Sequence, residues 1–455
     1  MGACHVAVEP SSFRDPFVSL FQSAVDQVVR GMTPSTALAS RPGMDNAFVN
    51  AAAAIGALKS QEQGQMPLPD AAPGGIAQDA WTCAKMGFAL LQARARGDTA
   101  GAASIEDDLR FNVCDPAWIK VIESYMAFFG PDGKRASIPY RRAATVGPVT
   151  LPLKASATVA LIADWGTGTQ VAVDLLKQAA LQNPDVVIHL GDIYYSGTPQ
   201  ECDANFRNIV DTVLERSTRD VPVYTLAGNH DMYSGGAGYY GLIDTLNDPA
   251  RRQPASFFCL RNDDWQFIAM DTGLHDYIPI VGNDMLTFLE KDEEDWITER
   301  IAEFSGKTIL LSHHQLFSAL SEIGPLQAGN KLIAHNPKLL PSFQRFAQAA
   351  KQPIAAWFWG HEHNLSVYQP YLGLNRGRCI GHGAVPVLVD GPENAPDSRI
   401  VNPPTLQNVL LKEANEVYMH GFTIIRLGQG AQHAQASAEY YESSDGATPM
   451  FTEML

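Results

Sequence analysis

The rhythm of apolar and polar positions changes near residue 145. Before it, apolar residues recur at helical spacing. In Phe17–Val29, residues Phe17, Leu20, Phe21, Ala24, Val25 and Val28 fall on one face of a 3.6-residue helix. Asn46–Leu58, Gln78–Ala95 and Trp118–Phe129 follow the same rule, and loops such as Met66–Gly75 separate them. The spacing predicts a mainly helical accessory region over 1–145. No metal, nucleotide or nucleophile motif occurs in it, and its role stays open. After Val146, short continuous apolar runs end in polar, Gly-containing turns. Thr158–Ala163, Val186–Leu190, Val223–Leu226, Phe267–Met270, Thr308–Leu311 and Ala355–Trp359 read as buried strands, and Thr169–Leu181 and Met285–Phe304 as helices. Strands alternating with helices predict an α/β domain over 146–435. The tail, 436–455, reads as a surface extension.

Composition narrows the classes. The chain has 455 residues, 45% of them apolar, enough for a sizeable core. Its 33 basic residues face 49 acidic ones, a net charge of −16. That excludes nucleic acid as the main partner, because a phosphate backbone needs a basic face. No apolar run approaches the ~18–20 residues of a membrane span, and the N-terminus lacks the basic-then-apolar order of a secretory signal. Six cysteines form no C-x-x-C pair, which suits reduced thiols. The expectation is a cytoplasmic protein, with export by an unrecognised route left open. Nothing speaks to oligomeric state.

The chemistry sits behind the strands. Asp164-Trp165-Gly166, Gly191-Asp192-Ile193-Tyr194-Tyr195, Gly228-Asn229-His230-Asp231, Ser312-His313-His314 and Gly360-His361-Glu362-His363 each follow a predicted strand. In an α/β sheet, ligands bind beyond the carboxyl ends of the strands. An isolated Asp there is often a helix cap, and an isolated Gly-Asn-His-Asp a turn. Five such clusters in series point to a metal site. A carboxylate can bridge two cations, and Asn229 offers a neutral oxygen that limits charge. His361 and His363, two apart in an extended segment, share a side while Glu362 points away. Competing motifs fail: Val171 breaks G-x-G-x-x-G after Gly166, and there is no G-x-x-x-x-G-K-[ST] loop and no G-x-S-x-G elbow.

This series resembles the calcineurin-like metallophosphoesterase superfamily, whose blocks run D-x-[HG], GD, GNH[DE], H and GHxH. Within it, the chain is similar to the purple acid phosphatase branch, which has Gly in the first block and a tyrosine in G-D-x-x-Y. Gly166 and Tyr195 match both features, and the resemblance spans about residues 157 to 390. It implies a four-layer α/β/β/α sandwich of two mixed sheets with the ligands at one edge. It implies two metal ions bridged by Asp192, one held by Asp164, Asp192, Tyr195 and His363, the other by Asp192, Asn229, His313 and His361. His313 aligns with the family ligand. Gln315 stands where members usually have Pro, so His314 is the other choice. A tyrosinate at Tyr195 offsets the extra charge of a trivalent ion, which implies Fe(III) there, with Fe, Zn or Mn beside it.

The implied activity is hydrolysis of a small phosphate monoester by a metal-bound hydroxide. His230 would be the general acid or a phosphate donor, and Asp231 would fix its tautomer. His314 and Tyr233 would reach substrate. Tyr194, Tyr239 and Tyr240 would line the mouth, and Ser234–Gly238 would form a flexible rim. The alternatives are a phosphodiesterase acting on cyclic nucleotides, lipid head groups or sugar-linked phosphates, and a binding protein on a retired phosphoesterase core.

Overall fold

Each central strand sends alternate side chains into two different cores, as a period of two requires. In Thr158–Ile162, Val159 and Leu161 enter one core while Ala160 and Ile162 enter another. In Trp265–Ala269, Trp265, Phe267 and Ala269 join that first core, and Ile268 faces a third. Near-continuous apolar runs are therefore the signature of strands covered on both faces.

The computed structural model describes residues 137–278, 286–325, 327–387, 396–414, 417–428, 434–443 and 448–455, with scattered positions between 98 and 129. The helices expected at Phe17–Val29, Asn46–Leu58 and Gln78–Ala95 lie outside the described residues, as does most of Trp118–Phe129. The chain divides into two compact units, 1–123 with 388–392, and 124–387 with 393–455. Nearly all described residues belong to the second.

Thirteen strands of that unit build two mixed sheets. In chain order they are β1 (Leu151–Pro152), β2 (Thr158–Ile162), β3 (Val186–His189), β4 (Val223–Thr225), β5 (Phe258–Arg261), β6 (Trp265–Ala269) and β7 (Lys307–Leu311). There follow β8 (Ala356–Trp359), β9 (Leu365–Val367), β10 (Gly377–Ile380), β11 (Gly421–Leu427), β12 (Ala436–Glu442) and β13 (Phe451–Met454). One sheet has the order β1-β5-β6-β7-β8-β10-β9, the other β13-β12-β11-β2-β3-β4. The strands β2, β3 and β4 are mutually parallel, as are β6, β7 and β8.

The first core lies between the sheets, where Leu161, Ile188 and Ile425 meet Phe267, Ile309 and Phe358. Outside one sheet, Leu175, Leu176 and Ala179 of the helix Gln170–Leu181 cover Ala160, Val187 and Ile424. Outside the other, Trp296, Ile297 and Ile301 of Lys291–Glu303 and Phe343 and Phe346 of Leu339–Ala349 cover Ile268, Leu310 and Trp357. The result is the expected α/β/β/α sandwich.

Three local expectations need correction. The tail is no surface extension: β12 and β13 complete a sheet, with Ala436, Ala438 and Tyr440 alternating into the inter-sheet core. Glu453 on β13 pairs with the buried Arg378 of β10 at 2.6 Å. The helix expected from Met285 starts at Lys291, where Asp292, Glu293 and Glu294 occupy the first turn and suit the positive helix end. The expected rim loop is cut short by the helix Ala237–Thr245. Tyr239 and Tyr240 on that helix point into the core, bonding to the Thr225 carbonyl and the Ser256 hydroxyl.

Candidate metal centre

Every cluster read from the sequence lies just past the carboxyl end of β2, β3, β4, β7 or β8, so the two parallel strand sets deliver their side chains to one edge. Three of these residues, Asp164, Asp192 and His361, sit at φ values of 52°, 76° and 67°. Non-glycine residues avoid this left-handed region, and such strain gathers at functional sites. Glycine makes room where backbones crowd. A Cβ on Gly228 would stand 2.1 Å from Asp192 Oδ1, and one on Gly191 (φ 103°) 2.7 Å from His313 Nδ1.

The side chains form two groups that share Asp192. In the first, the Tyr194 hydroxyl lies 3.3 Å from Asp164 Oδ1, 3.1 Å from Asp192 Oδ2 and 3.0 Å from His363 Nε2. Asp164 Oδ1 is also 3.5 Å from His363 Nε2. In the second, Asn229 Oδ1 lies 3.0 Å from His313 Nε2 and 3.2 Å from His361 Nδ1. Asp192 Oδ2 reaches this group too, 3.5 Å from His313 Nε2. The other oxygens of both carboxylates are anchored, Asp164 Oδ2 by the N–H of His361 at 2.9 Å and Asp192 Oδ1 by that of His230 at 3.0 Å. Such outer bonds hold a carboxylate in one orientation.

The donor set fits cations. His313 Nδ1 lies 2.9 Å from the Leu190 carbonyl, so that nitrogen carries the proton and Nε2 presents a lone pair. Nε2 faces the amide oxygen of Asn229, also a lone-pair atom. Two such acceptors at 3.0 Å repel unless a positive charge lies against both. Neighbouring ligands at about 2.1 Å from one ion stand about 3.0–3.4 Å apart, close to the spacings seen here. Burial lowers the pKa of His313 to about 3 and holds His361 well below its ordinary value, with the neighbouring His314 and His313 adding to the effect on His361. Both rings are therefore neutral at neutral pH, the form that binds metal.

The phenol in the first group belongs to Tyr194, although the family pattern puts its tyrosine at Tyr195. Glu201 turns this segment by accepting the N–H groups of Tyr195, Ser196 and Thr198 at 2.7, 3.1 and 2.9 Å. The carbonyl of Tyr195 faces His230 Nδ1 at 2.7 Å. That contact, rather than Asp231, orients the imidazole and leaves Nε2 directed to the cluster, 3.8 Å from Asp192 Oδ2. Asp231 is buried and accepts the backbone N–H groups of Gly228, Asp192 and Ile193 at 2.8, 3.0 and 3.3 Å. It ties two site loops together, which corrects its expected role as partner of His230.

Tyr233 accepts from Asn229 Nδ2 at 2.5 Å, which turns the amide oxygen towards the histidines, and its ring centroid lies 4.8 Å from that of His230. His314 is buried between Thr272 Oγ1 at 3.1 Å and Asp276 Oδ2 at 3.0 Å, with its ring against His361. Burial pushes Asp276 up to about 7. Sequence reading missed Asp276 because it belongs to no motif. His189 is a core residue bonded to Thr225 and packed on Trp165 and Phe206. A cleft of about 240 Å³ opens over the cluster, lined by Asn229, His230, Ser321, His361, His363 and Asn364 among others.

The fold is that of a metallophosphoesterase, and residues 157–365, a little under half of the chain, match the calcineurin-like phosphoesterase family. That match supports a phosphoester hydrolase and implies divalent metal ions. Among known proteins, the chain is similar to rat tartrate-resistant acid phosphatase type 5. The two are 22% identical over 312 residues, 62% of this chain and 86% of the relative. It is also similar to a probable cyclic nucleotide phosphodiesterase of a Synechococcus strain, 26% identical over 221 residues, 48% of this chain and 70% of that one. Among solved structures, the Plasmodium inner-membrane-complex anchor GAP50 aligns with a TM-score of 0.45 at 15% identity, over 66% of this chain and 89% of that one. No helix among the described residues is long and apolar enough to cross a membrane.

Proposed function

We propose that this protein is a dinuclear metal-dependent hydrolase of phosphate monoesters, similar to purple acid phosphatases. Asp164, Asp192, Tyr194 and His363 would hold Fe(III), and Asp192, Asn229, His313 and His361 a second Fe, Zn or Mn ion. The observation that carries this reading is the pair of donor groups sharing Asp192 Oδ2, with lone pairs of His313 and Asn229 turned on each other at 3.0 Å. A phenolate oxygen suits a hard trivalent ion, and its charge offsets the third positive unit.

When bound, the ions supply Lewis acidity towards the phosphoryl oxygens and an acidified water as nucleophile. The chain's own residues complete the chemistry. His230, its Nδ1 held by the Tyr195 carbonyl, carries at Nε2 the proton that the leaving alkoxide takes. Tyr233 keeps the Asn229 oxygen directed inward. Asp231 fixes the distance between the Gly191 and Gly228 turns, and with it the placement of His230 relative to Asp192.

The test is metal quantification on protein purified without added ions, followed by phosphate release from an aryl monoester and cleavage of the matching diester. About two ions per chain and faster monoester turnover are expected. A strong diester preference moves the protein to the phosphodiesterase class on the same site. Metal-free protein with no turnover after metal addition rejects the enzyme reading in favour of a binding role.

A further inference from the structure

The cleft over the two donor groups continues past them to Ser321, Glu362 and Asn364. We infer that this far end binds a hydroxyl group on the alcohol portion of the phosphate ester, which makes the substrate the phosphate of a polyol or sugar-like alcohol rather than of a plain alkyl or aryl one. The inference rests on the phosphoesterase reading and names the substrate class of that site.

The polar groups at the metal end of the cleft are already committed. Asp192 Oδ1 accepts the N–H of His230, and the Asn229 amide donates to Tyr233. His361 turns Nδ1 to Asn229 and lines, with the rest of its ring, the separate small recess beside Asp276. His363 turns Nε2 to Tyr194 and Asp164. At the far end, one donor and one acceptor remain. Asn364 is only 4% exposed. Its oxygen accepts the Ser366 hydroxyl at 2.9 Å, which fixes the amide, and its N–H2 donates to none of the described residues. Glu362 offers nothing further: Ser318 donates to one carboxylate oxygen and Trp359 Nε1 to the other at 3.3 Å. Burial raises the Glu362 carboxyl, and hydrogen bonds from Ser318, Ser321 and Trp359 counter the rise. With its proton given to Glu362, the Ser321 hydroxyl keeps only its lone pairs. A buried N–H2 and a hydroxyl oxygen in one cleft match a ligand hydroxyl, which accepts from the first and donates to the second.

The other ligand classes fit less well. Among the described residues, no Lys or Arg lines the cleft, so a second phosphate or a carboxylate would meet no cation. An ammonium would meet a carboxylate whose oxygens are both taken. No aliphatic or Phe, Tyr or Trp side chain lines the cleft among the described residues, so an alkyl or aryl group would leave the Asn364 N–H2 unpaired. A hydroxyl repeats the hydrogen bonds of the water it displaces. Reach is short as well. Asn364 follows His363 of the first donor group directly, with Cα atoms about 3.8 Å apart, and its N–H accepts no detour, donating to the Glu362 carbonyl at 2.6 Å. With the phosphoryl group over the donor cluster, the hydroxyl to be bound is the one on the carbon after the ester carbon, or on the next.

The test measures by calorimetry how tightly the metal-loaded protein binds 3,4-dihydroxybutylphosphonate and butylphosphonate, which have the same chain length and cannot be hydrolysed. The dihydroxy compound should bind about fivefold or more tightly, the scale of one net hydrogen bond. The ratio should fall towards one in Asn364→Ala and, independently, in the partly exposed Ser321→Ala. The kcat/KM values for glycerol 3-phosphate and propyl phosphate should show the same bias and lose it in the same variants. A wild-type binding ratio at or below one, or a ratio unchanged in both variants, overturns the hydroxyl assignment. Failure to turn over an aryl phosphate as well as both alkyl esters overturns the phosphoesterase reading instead, and this inference falls with it.

Discussion

Replacing Tyr194 by Phe removes one oxygen from the centre of the first donor group. That oxygen lies 3.0–3.3 Å from Asp164 Oδ1, Asp192 Oδ2 and His363 Nε2, so no water-filled space takes up its loss without leaving two carboxylates facing each other. Burial, then Asp192 and Asp164, hold the phenol well above its ordinary pKa, and only a cation at the site makes the phenolate accessible. Losing an outer partner of a metal ligand costs about 10–100-fold in affinity. Losing a direct donor should cost at least the upper end, about 100-fold or 2.7 kcal/mol. The assay is the visible spectrum of iron-loaded protein together with bound iron per chain. Wild type should show a phenolate-to-iron band in the violet, Tyr194→Phe should lose it along with iron, and Tyr195→Phe should keep it because Tyr195 serves the site through its backbone. A band that survives in Tyr194→Phe and disappears in Tyr195→Phe would refute the assignment.

Further outcomes follow from the same geometry. Asp192→Ala removes the carboxylate common to both groups and should lower activity by more than about 10³-fold, with bound metal falling below one ion per chain by elemental analysis. His230→Ala should lower kcat by about 10²-fold or more for an alkyl phosphate and much less for an aryl phosphate, whose leaving group needs no proton; equal losses on both would remove His230 as the acid. Burial raises Asp271 to about 6, and it packs beside the buried Glu293, likewise raised. The folded state therefore binds the proton more tightly than the unfolded chain, so this group's contribution is full below about pH 4 and lost as pH rises to about 6. In urea unfolding, Asp271→Asn should gain stability relative to wild type across that window, and a constant difference would exclude the effect.

Residue types and their order along the chain already carried much of the site. Asp164, Asp192, Asn229, His313, His361 and His363 each follow an apolar run, and a run bounded by a Gly-containing turn is legible as a strand end. The family alignment favoured His313 over His314, but residue order alone did not separate them, because both follow β7. In the structure the two rings differ in their partners: the Leu190 carbonyl faces His313 Nδ1, and Asp276 engages His314. Those partners are distant in sequence. Asp231 misled for the same reason: a carboxylate beside a histidine looks like its partner, yet three backbone N–H groups claim it.

The sequence by itself determined the α/β class, the acidic character and the set of side chains able to hold metal, because periodicity and residue chemistry are local properties. Only the tertiary structure decided that the last twenty residues complete a sheet, that Tyr194 takes the place expected of Tyr195, and that Ser321, Glu362 and Asn364 meet in one cleft. Each of these depends on which polar groups are satisfied by remote partners such as Glu201, Arg378 and Ser318, and hydrogen bonds between distant segments leave no periodic trace in the chain.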